Sequence, residues 1–503
     1  MLPWFLCVPL GSKVPTQRAI SHARSRNAEP KAAIHRDVGA GTLIAAAPKG
    51  LPTNKEIAAM KSQFAPTNDT GIAIFERLES EVRGYIRSFP ILFDRGIGTT
   101  VIDADGREYL DFFAGAGALN YGHNNPAFKK PLLDYIQRDG IIHGLDLATS
   151  AKKAFIGAFE KYILKPRGLN YKLQFTGPTG TNAVEAAVKL ARQATKRSNI
   201  VAFTNAFHGV SAGALAATGN KKYRSAVGYG LAHVTTLPYD GYLGPSVDTL
   251  DYFEELLNDP SSGLDKPAAV ILEAVQGEGG IRPASLRWLQ RLRDLTERHE
   301  VLMILDDIQA GVGRTGKFFS FEAAQIVPDI VTLSKSLSAI GTPMSLVLLR
   351  PELDVWSPGA HSGTFRGNNL AFVAARAALE TYWADSKFED EIARKSGILA
   401  DELKSIAYDY PNIGFSVRGR GLMYGLVSQE YDSLPIQIQG EALRRGLVIE
   451  TCGGRNEVLK FLVALTITEA DLRRGLSIVR ESIGAVQASM DRSSAESKSA
   501  TKV

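Results

Sequence analysis

Two apolar runs that each end in a charged residue constrain this chain more than any other feature. Val301-Leu-Met-Ile-Leu-Asp306 and Asp329-Ile-Val-Thr-Leu-Ser-Lys335 are short, aliphatic and free of polar alternation. Such runs suit strands buried on both faces of a parallel sheet, because side chains on either side then meet an apolar layer. In open α/β sheets, ligands collect at the carboxyl ends of the strands. Asp306 and Lys335 therefore stand where reactive groups are expected.

A lysine at an apolar strand end is partly discharged by desolvation and becomes a nucleophilic amine, suited to forming an imine with an aldehyde cofactor. With pyridoxal phosphate, a buried aspartate pairs with the ring nitrogen and keeps it protonated, a role that Asp306 fits. As two isolated residues, an aspartate capping a turn and a lysine reaching for solvent form the commoner arrangement. The neighbouring motifs tip the balance.

Leu173-Gln-Phe-Thr176 reads as a strand and leads through Gly177-Pro-Thr-Gly-Thr181 into Val184, Ala187, Val188 and Ala191 at helical spacing. Free N–H groups at a helix N-terminus, with the hydroxyls of Thr179 and Thr181, suit a phosphate dianion. Plain capping of the helix by either threonine is the alternative. Asn199-Ile-Val-Ala-Phe203 delivers Asn205-Ala-Phe-His-Gly209 to the same sheet edge. Phe207 can stack on a ring there, although a phenylalanine after a strand is more often core, and His208 more often packed or capping. Ala269-Val-Ile-Leu-Glu-Ala-Val275 is a further buried strand. Its internal Glu273 needs a partner, and Gln276 and Glu278 follow.

Elsewhere, residues 75–86 carry apolar side chains at helical spacing, and 100–110 read as a hairpin turning at Asp105-Gly106. Asp111 to Pro126 is glycine-rich, so its backbone can approach a ligand closely, or it is simply an irregular loop. Met344 to Arg350 reads as a strand and Leu370 to Tyr382 as a helix; Phe415 to Val427 has strand character around a glycine turn. Glu469 to Ile483 is an amphipathic helix that Thr468 can cap, and residues 488–503 read as a disordered, serine-rich tail.

A chain of 503 residues with 45% hydrophobic and 22% charged residues is an ordinary globular protein of more than one domain. The net charge of +5 lies in the first 70 residues, which hold nine Lys/Arg against four Asp/Glu and seven of the 23 prolines. This stretch reads as a disordered extension, with an organellar transit peptide or an over-extended start as alternatives. The remainder is formally neutral, which argues against nucleic acid as a partner. Cys7 and Cys452 are too few for a disulfide framework or a zinc site, so a reducing compartment, no metal and a cytoplasmic location are expected. No stretch approaches the roughly 18 apolar residues of a membrane span.

Together, Glu273-Ala-Val-Gln-Gly-Glu-Gly-Gly280, Asp306-Asp-Ile-Gln-Ala-Gly-Val-Gly-Arg-Thr-Gly316, Ser334-Lys335 and His361-Ser-Gly-Thr-Phe-Arg-Gly-Asn-Asn369 resemble the class III (ω-) aminotransferases of pyridoxal phosphate fold type I. The resemblance runs from about Phe75 to about Gly484. Phe112 to Pro126, His143-Gly-Leu-Asp146, Gly177 to Asn182 and the Phe365-Arg-Gly-Asn-Asn369 variant look like the branch that makes 2,4-diaminobutyrate for ectoine.

The resemblance implies an α/β fold: a large cofactor-binding domain with a mainly parallel sheet (131–365), and a small α+β domain from both chain ends (71–130 and 366–487). It implies a homodimer or dimer of dimers with shared active sites. Lys335 would hold pyridoxal 5'-phosphate and act as general base, with Asp306 on the ring nitrogen and Gln309 on the ring hydroxyl. Ile308 and Phe207 would enclose the ring, with His208 beside it. Thr179, Gly180, Thr181 and Thr364 of the partner subunit would hold the phosphate.

The reaction implied moves an amino group from glutamate to aspartate 4-semialdehyde. Transamination of ornithine or 4-aminobutyrate, a semialdehyde aminomutase and a non-catalytic binding protein are the alternatives. In the family, the residue at Glu278 pairs with an arginine that receives a substrate carboxylate. Here Lys460 stands at that position, without the bidentate fork. Ala116 replaces the tyrosine of ornithine aminotransferases, and Arg366 is a candidate for a substrate carboxylate or for an ion pair.

Overall fold

The computed structural model describes residues 71–228, 230–429 and 433–500, with side chains described through residue 492. The extension expected over residues 1–70 lies outside the described residues. The central element is a seven-stranded sheet. In chain order its strands are β1 (Lys172–Phe175), β2 (Ile200–Phe203), β3 (Val234–Leu237), β4 (Ala269–Leu272), β5 (Leu302–Asp306), β6 (Ile330–Leu333) and β7 (Leu346–Leu349). They lie in the order β1-β7-β6-β5-β4-β2-β3. Strand β7 is antiparallel to both its neighbours and every other pairing is parallel.

The absence of alternation in these runs has the cause inferred from the sequence. Ile200, Ala202, Ile271, Ile304, Ile330 and Val347 pack on one face, together with Ala183, Val184, Ala187, Leu190 and Ala191 of helix α1 (Gly180–Thr195). Val201, Phe203, Val270, Leu272, Met303, Leu305, Val331 and Leu348 pack on the other, against Trp288, Leu289, Leu292 and Leu295 of helix α2 (Leu286–Arg298). Successive side chains alternate between two apolar layers, so both kinds of position are apolar.

Two four-stranded sheets and a two-stranded ribbon of Val275–Gln276 with Arg282–Pro283 complete the sheet structure among the described residues. One joins strands Phe93–Ile97, Thr100–Asp103 and Glu108–Asp111 to Leu447–Val448. The hairpin at Asp105-Gly106 forms as read, with Gly106 at φ +87°. The other joins Phe415–Arg420, Met423–Ser428, Val458–Phe461 and Glu450–Cys452.

Two local readings need correction. The helix expected over residues 75–86 is two short helices, Ala73–Leu78 and Tyr85–Ser88. Arg83 Nη1 donates to the Glu79 and Ser80 carbonyls, taking acceptors that a continuous helix would use, and Gly84 favours the break. The tail expected to be disordered is helical as far as Ala500, within α3 (Glu469–Ala500). Leu472, Leu476, Val479, Ile483 and Val486 anchor its first turns in the core, and beyond Gly484 no glycine or proline stops propagation. Among the described residues no helix is long and apolar enough to cross a membrane, and no group of three metal-binding side chains occurs.

Candidate active site

Parallel strands bring five loops to one edge of the sheet. The turn before α1 follows β1, residues 205–209 follow β2, residues 273–278 follow β4, Asp306 ends β5, and Lys335 opens a 3-10 turn two residues past β6.

Asp306 is fixed on both oxygens. His208 Nδ1 lies 2.7 Å from Oδ2, while Thr332 Oγ1 and the Ile308 N–H both donate to Oδ1 at 3.2 Å. Burial disfavours charge on His208, yet the hydrogen bond and charge of Asp306 outweigh it and raise its pKa. The strand expected over 269–275 ends at Leu272, so Glu273 falls just outside β4, and its carboxylate accepts the Phe207 and Gly277 N–H groups at 3.0 Å each. Those are the partners that an acid among apolar residues requires. Burial pushes its carboxyl up to about 7.

Lys335 adopts a left-handed backbone at φ +46°, and its ammonium donates to the Ala116 carbonyl at 2.9 Å. Ala116 is itself left-handed, at φ 55° and ψ 38°. A non-glycine residue in this region is strained and persists only where its surroundings hold it. Here they do: Ser334 Oγ bonds the Met344 carbonyl at 2.8 Å and Ser336 Oγ the Gly117 carbonyl at 2.7 Å. Burial lowers the pKa of Lys335, and the Lys460 charge adds to this while Glu278 opposes it.

Beside Lys335 lies a second buried charge group. Lys460 Nζ, fully buried, is 2.6 Å from Glu278 Oε1 and 3.1 Å from Glu450 Oε1. Burial alone would raise the pKa of Glu278, but Lys460 and Lys335 hold it down at about 2. Gln309 Nε2 donates to Glu278 Oε1 at 3.2 Å and to the Ala116 carbonyl at 3.0 Å. Its Oε1 is buried with no donor among the described residues. Gly277 leaves room for this amide, since a Cβ there would lie 1.7 Å from Gln309 Oε1.

Of the residues singled out in the sequence, Asp306, His208, Lys335, Gln309 and Glu278 converge directly. Ile308 packs on Gly180, where a Cβ would be 2.9 Å from Ile308 Cδ1, which ties the end of β5 to the start of α1. Thr179 donates its N–H and hydroxyl to Asn182 Oδ1, and the Thr181 hydroxyl lies 2.6 Å from Ser211 Oγ. Both threonines thus cap and brace the helix start. Phe207 is half-buried, edge-on to Tyr223 at 5.4 Å.

Thr364 and Arg366 are placed elsewhere. The Thr364 carbonyl meets His143 Nε2 at 2.9 Å, and Arg366 Nη1 lies 3.7 Å from Asp146 Oδ2. Their bonds go to the 143–146 segment, as the ion-pair reading of Arg366 anticipates. Glu450 and the Ala116 carbonyl were missed. The signal for Glu450 was an acid inside the apolar run Leu447 to Cys452, of the same kind as Glu273.

A part-buried lysine of lowered basicity beside a fixed aspartate–histidine pair can bind an aldehyde and shuttle a proton. Comparison with known proteins agrees with that chemistry. The family model described as aminotransferase class-III matches residues 84–483. The chain is 62% identical over 412 residues to diaminobutyrate–2-oxoglutarate transaminase of Bordetella parapertussis, covering 82% of this chain and 95% of that protein. It is 56% identical over 406 residues to the Vibrio cholerae protein of the same name, covering 81% and 98%. Among solved structures, ornithine aminotransferase from Toxoplasma gondii superposes with a TM-score of 0.73 at 27% identity, covering 87% of this chain and 99% of that one. The chain thus belongs to the class-III aminotransferase family.

Proposed function

We propose that this chain moves the amino group of L-glutamate to L-aspartate 4-semialdehyde, giving L-2,4-diaminobutyrate and 2-oxoglutarate, the first step of ectoine biosynthesis. The cofactor is pyridoxal 5'-phosphate. The reading is carried by the part-buried Lys335 on the sheet edge that also holds Asp306, and its substrates follow the two transaminases at 62% and 56% identity.

The residues fit the cofactor. Gln309 Oε1, a buried acceptor without a donor among the described residues, matches a ring hydroxyl. Asp306, oriented by His208, matches a ring nitrogen, and the first turn of α1 with Thr179, Gly180 and Thr181 matches a phosphate. Ile308 and Phe207 cover the ring. When bound, the group supplies an electron-accepting ring that makes the substrate carbon acidic.

The chain's own residues do the rest. Lys335 Nζ, lowered in basicity by burial, takes the proton from the substrate carbon and returns it. Asp306 keeps a proton on the ring nitrogen. Glu278 and Lys460 define the polar end of the substrate space, and Arg366, held by Asp146, is a candidate for a distal substrate carboxylate.

We also assign residues 131–365 to the large domain, and 71–130 with 366–487 to the small one. The assembly is a homodimer or dimer of dimers in the cytoplasm, with the phosphate completed by Thr364 of the partner subunit. Among the described residues, Ile141, Ile142, Leu147 and Phe365 are large apolar side chains left 48–67% exposed near that segment, which supports a covering subunit.

The test is the visible spectrum of the holoenzyme with 2,4-diaminobutyrate, ornithine or 4-aminobutyrate. Conversion of the visible band by 2,4-diaminobutyrate alone is the expected result. Preferential conversion by another amine would move the chain to a sister activity, and turnover without a 2-oxo acid would make it an aminomutase.

A further inference from the structure

Four buried polar atoms on three neighbouring residues have no hydrogen-bond partner among the described residues: Asp307 Oδ1, Ser320 Oγ, and Nε and Nη1 of Arg420. Ser320 joins them. Its N–H donates to Asp307 Oδ2 at 3.0 Å, and its carbonyl accepts Arg420 Nη2 at 2.9 Å. Phe319 and Phe321 on either side of it are at most 1% exposed and stack at 4.9 Å, which fixes its place. Asp307, which follows β5, is 0% exposed and Ser320 2%, whereas the part-exposed Arg420 ends strand Phe415–Arg420 of the second four-stranded sheet. The group therefore spans two sheets.

Arg420 is a cation without an ion pair among the described residues. Burial lowers its pKa while Tyr239 and Asp307 oppose that, and a guanidinium stays protonated regardless. The acid facing it is Asp307, whose carboxyl burial pushes up to about 7, with Asp306 adding to the rise and Ser320 and Arg420 opposing it. Tyr239 is itself raised well above its ordinary value by burial, Glu273 and Asp240, so it stays neutral.

Charge balance then has two solutions. An ionised Asp307 neutralises Arg420, and a water can bridge the two. A protonated Asp307 carries its proton on Oδ1, because Oδ2 accepts the Ser320 N–H. The Arg420, Ser320 and Asp307 groups are then all donors around a positive charge, with no carboxylate left to meet it. An unpaired buried charge is unfavourable, and an anion supplies both the acceptor and the missing charge, where water supplies no charge.

We propose that Arg420, Ser320 and Asp307 form a binding site for a small monovalent anion such as chloride, and that the anion and the Asp307 proton bind together. The anion enters past the part-exposed Arg420 and clamps that strand to the segment after β5.

The experiment follows the melting temperature of the holoenzyme against sodium chloride from about pH 6 to about pH 9, with sodium gluconate at equal ionic strength as reference. In the wild type, chloride stabilises more than gluconate at the acid end. Its apparent affinity is flat below about pH 7 and falls about tenfold per pH unit above it, because the anion binds only the protonated form. Bromide soaked into crystals at the acid end gives an anomalous peak between Arg420 and Ser320 Oγ.

Asp307→Asn keeps a donor that cannot ionise, so it holds chloride equally across the range, and Arg420→Met loses the chloride effect at every pH. Equal stabilisation by chloride and gluconate in the wild type overturns the site, and needs no variant to fold. A chloride effect kept in Arg420→Met overturns it as well. One that is independent of pH in the wild type overturns the coupling to Asp307.

Discussion

At the scale of single residues, the site is a set of ionisable groups kept in unusual states by burial. Lys335→Ala removes the amine that we propose holds cofactor and moves the proton. Transamination and the visible band should vanish, while the melting curve shows the fold retained. Asp306→Asn leaves the shape but cannot keep a ring nitrogen protonated, and should lower kcat by about 100-fold or more. Gly277→Ala places a methyl on Gln309 Oε1, so the amide must leave the Ala116 carbonyl and Glu278. With about 1 kcal/mol lost per bond, equilibrium dialysis should show cofactor held about tenfold or more weakly.

Asp307, fully buried next to Asp306, has its carboxyl pushed up to about 7 by burial. The folded state therefore holds a proton there that the unfolded chain releases near pH 4. This contribution to stability is complete below about pH 4 and lost as pH rises through about 7. Asp307→Asn should flatten that fall in denaturant titrations relative to wild type.

At the scale of elements, α1 shows what the sequence made legible and what it did not. Its start, its apolar face and its position after β1 follow from Gly177 to Ala191, because helical periodicity and turn residues are local signals. That Thr179 and Thr181 spend their hydroxyls on Asn182 and Ser211 did not follow, since Ser211 is 30 residues away. Small residues on the buried face let the helix lie close to the sheet. Ala187, fully buried there, has no room to grow. Ala187→Leu should cost about 1–3 kcal/mol and lower the melting temperature, with cofactor retention falling as the helix start is displaced.

The same contrast holds elsewhere. The strand runs were readable because burial on both faces leaves an uninterrupted apolar stretch. The break at Gly84 and the final helix were misread, because a single arginine side chain and anchorage by tertiary packing decided them.

At the scale of the whole molecule, the candidate site draws on loops and strand ends scattered over the chain from Ala116 to Lys460. Asp306, Lys335 and His208 could be named early, since each follows an apolar strand and all parallel strands end at one edge. Glu450 could not be placed, because its register against Lys460 depends on the pairing of two strands in a different sheet. The exposed residues around Phe365 belong to this scale too. Phe365, 67% exposed and edge-on to His143 at 5.4 Å, sits beside Thr364. Phe365→Asp should shift the light-scattering mass toward a single subunit and loosen cofactor together with it, as the proposed shared site requires.

Strand β7 runs against its neighbours, so the chain that leaves β6 through Lys335 re-enters the sheet at the same rim, where the Met344 carbonyl accepts Ser334 Oγ. The lysine thus rides on a clasp closed by the sheet itself. A chromophore attached to it would serve as a built-in thermometer: its absorbance and the backbone circular dichroism should melt in one transition, because opening β7 releases the clasp.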